Sequence, residues 1–200
     1  MDQAKTLLII GKVWPEPNSS AAGSRMMELI DLFQRDGYDI TFATSASNSS
    51  FAADLDEFGV DRASIEMNSS TFNDFVRELQ PDAVMFDRFM TEEQFGWRVA
   101  EECPDAVRIL DTEDLHCLRA ARHNAWKRGE EFTPDMLLDE EVARREIASI
   151  YRCDLSLIIS EFEYALLQKK FQLPEEILFY IPFLMSDFPD SSSIPFEDRS

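Results

Sequence analysis

The sequence predicts one α/β domain with a doubly wound parallel sheet of about six or seven strands and helices on both faces. Short apolar segments, typical of buried parallel strands, alternate with amphipathic helical segments along most of the 200 residues. Such an alternation requires right-handed crossovers, which place helices over the sheet. A hydrophobic fraction of 44%, with sixteen phenylalanines, supplies enough apolar surface for one good core.

The predicted strands follow one another at regular intervals along the chain. They span residues 6–13, 39–44, 63–67, 83–86, 107–110, 155–159 and 177–181. A helix is predicted over residues 24–35, ending near Gly37, and later helices are predicted to start at Thr71, Thr91 and Ser160, each with a capping-box spacing. A longer helical segment, residues 114–152, interrupts the alternation, with Asp114 as the expected cap of its first helix.

The charge balance restricts the classes of partner. The chain carries 39 acidic and 19 basic residues, a net charge of −20. Nucleic acids and anionic lipid surfaces attract basic proteins, so we expect no nucleic-acid partner, and no membrane contact is indicated. A solvated acidic surface is the simplest interpretation of the excess.

Cysteine usage and missing motifs exclude several kinds of site. The three cysteines, Cys103, Cys117 and Cys153, form no CxxC pair, which favours reduced thiols and a cytoplasmic location. No secretion leader is evident. Neither GxGxxG nor GxxxxGK[ST] follows the first strand, so a standard dinucleotide site and a P-loop are not supported.

The predicted topology brings two loops together at one crevice. In a doubly wound sheet the loops after the first and fourth strands flank the point at which the strand order reverses, and ligands bind there. Residues 18–25 and 87–91 meet at that crevice, and Arg25 and Arg88 are cations within it. Each is a candidate contact for an anionic ligand.

The most distinctive segment is ILDTEDLHCLR, residues 109–119, in which a buried strand ends in acids, a histidine and an arginine. Together with the first strand and its loop (LLII to AGSR, residues 7–25) and the DITF entry to the second strand, it resembles the N-terminal half of a GT-B fold, retaining, nucleotide-sugar-dependent glycosyltransferase of the bacterial polysaccharide type. The resemblance covers nearly the whole chain. It implies a Rossmann-like, acceptor-side domain over residues 1–185 and an acidic Ser/Pro-rich tail or interdomain linker over residues 186–200.

The resemblance also implies an activity. Such an enzyme moves a sugar from a nucleotide-sugar, its co-substrate, to a glycan or lipid-linked acceptor, and it needs no resident cofactor or metal. Most of the donor is held by a C-terminal domain that these 200 residues do not include, supplied in cis or by a partner subunit. We therefore expect this piece alone to be inactive.

The resemblance suggests roles for Asp111 and Gly23, and side-chain chemistry suggests roles for His116, Arg119 and Trp14. Asp111 and His116 are the catalytic candidates: Asp111 would bind sugar hydroxyls or orient the acceptor, and His116 would assist proton transfer. Gly23, the one glycine where relatives often have two, would let the backbone approach the donor phosphate. Arg119 would bind a phosphate or carboxylate, and Trp14 would stack on a sugar ring.

Each of these residues also has a structural interpretation. Asp111 could cap the following helix, His116 could be structural, and Arg119 could pair with Glu113 or Glu130. The acids near His116 have no standard metal-binding spacing, so no metal site is expected. Two other functions remain open: a non-catalytic glycan- or partner-binding module, and a flavodoxin-like regulatory domain, which the long segment 114–152 disfavours.

Overall fold

The computed structural model describes residues 5–184, and the predicted tail lies outside them. Seven strands form one sheet in the order β3-β2-β1-β4-β5-β6-β7, and every neighbouring pair is parallel. The strands are β1 Lys5–Gly11, β2 Tyr38–Thr44, β3 Asp61–Ser64, β4 Ala83–Asp87, β5 Val107–Asp111, β6 Leu155–Ile158 and β7 Leu178–Tyr180. This order confirms the predicted doubly wound sheet, with its reversal between β1 and β4.

Helices connect the strands and cover the sheet. They are α1 Ala21–Arg35, α2 Thr71–Leu79, α3 Phe89–Glu102, α4 His116–Arg128, α5 Glu141–Arg152 and α6 Glu161–Phe171, with short 3-10 helices at Leu55–Phe58, Pro134–Asp139 and Glu175–Ile177. Two separate apolar cores lie on the two faces of the sheet. Within residues 5–184 no helix has the length and apolarity that crossing a bilayer requires.

The strand predictions hold in number and order, although β3 spans Asp61–Ser64 instead of residues 63–67 and α1 begins at Ala21 instead of residue 24. Two further element ends differ for reasons visible in the structure. β1 ends at Gly11 because the next backbone N–H, on Lys12, donates to the Asp87 carboxylate at 3.0 Å. α3 begins at Phe89 rather than at Thr91, so the capping prediction for Thr91 is wrong. The Thr91 hydroxyl lies inside the first turn and donates to the carbonyl oxygens of Asp87 and Arg88, each at 2.9 Å.

The N-terminus of α4 is capped by two carboxylates from other helices, and the prediction that Asp114 caps it is wrong. The Glu146 carboxylate on α5 accepts from the backbone N–H groups of His116 and Cys117, each at 2.9 Å. Glu163 on α6 accepts from the N–H of Leu115 at 3.1 Å. Both carboxylates are buried. A carboxylate at a helix N-terminus accepts hydrogen bonds from the free N–H groups and interacts favourably with the helix dipole. These contacts therefore hold α4 against α5 and α6.

We predict that Glu146→Ala lowers the free energy of unfolding by about 3 kcal/mol, because two buried N–H groups lose a charged acceptor. Glu146→Gln keeps one acceptor oxygen and is expected to lose about half as much. Urea unfolding followed by circular dichroism measures both. Glu141→Ala, an exposed change on the same helix, is the control, and an equal loss in the control and the Ala variant contradicts the assignment.

Candidate functional site

A pocket of about 250 Å³ opens at the carboxyl edge of the sheet, where the strand order reverses. The loops after β1 and β4 line it, as the topology predicted, and Glu113 in the loop after β5 completes its wall. Its lining includes Trp14, Ser20, Gly23, Asp87, Arg88 and Glu113. Of the predicted site residues, the structure therefore brings Trp14, Gly23 and Arg88 to this pocket.

An ion pair between two strained residues forms one wall. Arg88 donates to the Glu113 carboxylate from Nε at 2.8 Å, and its Nη2 lies 2.6 Å from the same oxygen. Arg88 has φ 71° and ψ 157°, a region that is essentially reserved for glycine, and Glu113 has φ 55°. Such conformations cost about 1–3 kcal/mol each and persist only where the surroundings impose them. They cluster at ligand-binding sites, which makes this pair the centre of the candidate site.

Asp87 lies directly beneath this pair and is incompletely bonded. Its Oδ2 accepts from the Lys12 N–H, whereas Oδ1 accepts no hydrogen bond and lies 3.6 Å from Arg88 Nε. Burial raises the pKa of the Asp87 carboxyl, and the neighbouring charge of Arg88 counteracts that effect. A buried carboxylate oxygen without a hydrogen-bond partner is unusual and is a second mark of a functional site.

Glu113 titrates near neutrality. Burial raises its pKa from the usual 4.5 to about 7, and repulsion from Asp87 contributes in the same direction, while Arg88 opposes it. The carboxylate therefore changes charge within the physiological pH range. Neither Asp87 nor Glu113 was predicted as a site residue. The acid that ends the fourth strand was the available signal for Asp87, whereas the raised pKa of Glu113 depends on burial that sequence does not reveal.

Arg25 and Asp111 form a buried ion pair instead of facing a ligand. Arg25 reaches Asp111 Oδ1 from Nε at 3.0 Å and from Nη2 at 2.9 Å, and both side chains are buried. Its Nη1 donates to the carbonyl oxygens of Ile181 and Pro182. Burial raises the pKa of Asp111, and Arg25 counteracts it. The pair thus joins α1, the end of β5 and the chain that leaves β7.

Gly23 is required by packing within the first loop. A Cβ at this position would lie 2.3 Å from the backbone carbonyl carbon of Glu16, closer than any side chain tolerates. The Gly23 N–H donates to Ser20 Oγ at 3.0 Å, the cap of α1. The glycine therefore lets the loop lie against the start of α1 and shapes the pocket floor.

Trp14 is 5% exposed and belongs to the core. Its ring lies 5.7 Å from that of Phe42, the Arg62 guanidinium lies over it, and its Nε1–H donates to the Ala46 carbonyl. This packing leaves an edge for the pocket wall but little ring face for stacking on a sugar.

His116 and Arg119 lie outside the lining of the pocket. The imidazole of His116 packs edge-on against Phe89, with Nδ1 3.2 Å from the Asp114 carbonyl oxygen. Arg119 is exposed and pairs with Asp114 at 3.2 Å, not with Glu113 or Glu130. Among residues 5–184 no group of three or more potential ligands is arranged to hold a metal ion.

We predict that Arg25→Met or Asp111→Leu alone lowers the free energy of unfolding by about 3–5 kcal/mol, because each leaves a buried charge without its partner. The double variant is expected to lose less than either single variant, since it removes both charges. Chemical unfolding of all three measures this coupling. Arg35→Met breaks an exposed pair with Asp31 on the same helix and is the control; strictly additive losses at Arg25 and Asp111 would refute the coupling.

The raised pKa of Glu113 also predicts how stability depends on pH. Because the folded-state value of about 7 lies above the usual 4.5, ionising Glu113 costs stability: the cost is absent below pH 4.5, grows up to pH 7 and is complete above it. Glu113→Gln removes this cost. The stability of this variant relative to the wild type is therefore expected to be higher at pH 8 than at pH 5. Glu130→Gln serves as an exposed control. An identical difference at both pH values would contradict the assignment.

Comparisons with known proteins support the fold. No protein-family model and no curated protein matches the sequence. Among solved structures, the lipopolysaccharide outer core galactosyltransferase WaaB aligns with a TM-score of 0.51 and 12% identity, over 87% of this chain and 44% of its own. The sucrose-phosphate synthase of Thermosynechococcus elongatus aligns at 0.57 and 10%, over 89% and 48%.

A third match is an epimerase by name and not a transferase. A putative UDP-N-acetylglucosamine 2-epimerase from Listeria monocytogenes aligns with a TM-score of 0.55 and 12% identity, over 88% of this chain and 45% of its own. The chain thus spans less than half the length of these structures. At such low identity the likeness is one of fold: the chain has a Rossmann-like α/β fold that is shared by a part of each of these structures.

Proposed function

We propose that this chain is the acceptor-side half of a glycosyltransferase that moves a sugar from a nucleotide-sugar to a glycan or lipid-linked acceptor. The observation that carries the proposal is the strained Arg88–Glu113 pair on the wall of a pocket at the reversal of strand order. The fold likeness to sugar-transferring enzymes agrees with it.

The roles of the site residues follow from their contacts. Arg88 is the group that meets an anionic part of a substrate, because it is the guanidinium on the pocket wall. Gly23 keeps the first loop close to that position. Arg25 and Asp111 act as positioning residues, since they bond to each other and not to the pocket. Because His116 and Arg119 contact Asp114 and do not line the pocket, we infer a supporting role for both.

The chemistry of this half is positioning and electrostatics. A substrate anion at Arg88 competes with the Glu113 carboxylate, so it binds best when Glu113 is protonated, below a pH of about 7. Below that pH the displaced Glu113 is a neutral carboxylic acid, which can donate a hydrogen bond or a proton beside the substrate. The donor's diphosphate would be held mainly by a C-terminal domain, in cis or on a partner subunit, and we expect these 200 residues alone to be inactive. The proposed setting is the cytoplasm.

A second function is a glycan- or partner-binding module without transferase activity. The observation that favours it is that Asp111, one of the two predicted catalytic residues, is fully buried and bonded to Arg25. A binding module would also keep the pocket but would need no group for proton transfer. The same experiment separates the two functions.

The test is sugar transfer by the native protein, isolated from its source with an antibody raised to this domain. We expect a polypeptide of about twice the mass of these 200 residues, as the proposed second domain requires. We also expect release of nucleoside diphosphate that depends on acceptor. Arg88→Ala in the full-length gene is expected to lower kcat/KM by about 100-fold, the usual scale for a lost charged contact in a transition state.

Arg35→Ala, an exposed arginine on α1, is the matched control and is expected to keep full activity. A native polypeptide of the size of this chain, which binds glycans and releases no nucleoside diphosphate, would replace the transferase proposal with the binding module.

A further inference from the structure

A second cavity, of about 530 Å³, opens on the other side of the link between Lys12 and Asp87. Its lining includes Lys12, Ser45, Met67, Met90, Phe95 and Arg145. The volume is within the range of small-molecule sites. Asp87 lines the first pocket and Lys12 lines this cavity, so the two spaces adjoin across the ends of β1 and β4.

The two cations of this cavity are in different states. Arg145 is held by the Glu93 carboxylate, with N–O distances of 3.0 and 2.6 Å, and its guanidinium also lies over the ring of Phe89. The Lys12 ammonium contacts the thioether of Met90 at 3.8 Å and forms no ion pair with any carboxylate of residues 5–184. Lys12 therefore offers a positive charge to whatever occupies the cavity.

The remaining lining suits a sugar. Met67 and Met90 are adaptable apolar side chains, and Phe95 is buried beneath the cavity, so the lining provides apolar surface for the C–H face of a ring. Ser45 and Gln94 add side-chain hydrogen-bonding groups for hydroxyls. Thr91, Glu93 and Arg145 also line the cavity, so its surface combines apolar patches with polar and charged groups, as a site for a polar small molecule requires.

We propose that this cavity binds the acceptor and that the acceptor is a sugar bearing an anionic group, a carboxylate or a phosphate, which pairs with Lys12. This inference rests on the proposed function and adds an acceptor subsite of stated chemistry next to the Arg88 pocket. With a net charge of −20, the chain as a whole repels anionic sugars. At physiological ionic strength charges beyond about 8 Å are largely screened. The charged residues of the lining are Lys12, Arg145 and Glu93, and since Arg145 and Glu93 pair with each other, Lys12 leaves one net positive charge.

The test is a binding titration of the 200-residue chain by calorimetry and saturation-transfer NMR. The probes are a disaccharide that ends in glucuronic acid, the matched neutral disaccharide that ends in glucose, and glucose 6-phosphate. We expect one or both anionic probes to bind about tenfold more tightly than the neutral disaccharide, with a preference that shrinks as salt is raised. Which of the two anionic probes binds more tightly shows whether the site prefers a carboxylate or a phosphate.

Three variants locate the interaction. Lys12→Ala is expected to abolish the preference for the anionic probes and to leave binding of the neutral disaccharide unchanged, whereas Lys12→Arg keeps most of it. Lys5→Ala, at the opposite end of β1, is the control and is expected to change nothing. Equal binding of all probes, a preference that survives Lys12→Ala, or no binding of any probe up to about 10 mM overturns the proposal.

The outcome is separable from that of the proposed function. Transfer by the native protein to neutral acceptors, without a preference for anionic ones, overturns this inference and leaves the transferase standing. An anion-dependent complex at Lys12 without sugar transfer supports the cavity and rejects the transferase.

Discussion

The buried ion pair of Arg25 and Asp111 is the interaction on which the arrangement of the site depends. It joins α1 to the end of β5, and through the carbonyl oxygens of Ile181 and Pro182 it also holds the chain that leaves β7. Two charges leave water to form it, so the pair is a costly way to gain stability but a specific way to fix geometry. With this pair in place, the three segments around the pocket have one relative position.

That rigidity explains how the strain beside it is tolerated. Arg88 adopts a backbone conformation that is essentially reserved for glycine, and its N–H donates to the Asp111 carbonyl at 2.8 Å. Asp111 therefore pairs with Arg25 through its side chain and bonds to the strained backbone of Arg88 through its carbonyl oxygen. Around this point the carboxylates of Asp87, Asp111 and Glu113 share two guanidinium groups. Burial raises the pKa of Glu113 to about 7, and the one negative charge in excess in this cluster adds to that effect.

Hydrophobic patterning was sufficient to predict the sheet, and the failures lie at its ends. The inner strands follow from apolar runs, because burial on both faces of a parallel sheet leaves a local signal. The edge strand β3 is mostly exposed, and it was predicted to begin at residue 63 instead of residue 61. The N-terminus of α4 leaves no such signal, because its caps come from Glu146 and Glu163, far along the chain. A prediction from local sequence can consider only nearby caps such as Asp114, whereas packing brings the observed caps from distant helices.

The sequence predicted where the two arginines of the candidate site lie, but it did not predict which carboxylates they bond to. Topology alone brought Arg25 and Arg88 to the carboxyl edge, yet sequence cannot say which cation is consumed by a buried carboxylate and which still faces a pocket. The difference lies in their partners: the Asp111 carboxylate is enclosed with Arg25, whereas the Glu113 carboxylate stands on a pocket wall and titrates near neutrality. A ligand anion can therefore compete for Arg88 at modest cost and cannot for Arg25. In the proposed function, a substrate anion therefore binds at the ion pair that a ligand can reach, Arg88–Glu113, and not at the enclosed pair of Arg25 and Asp111.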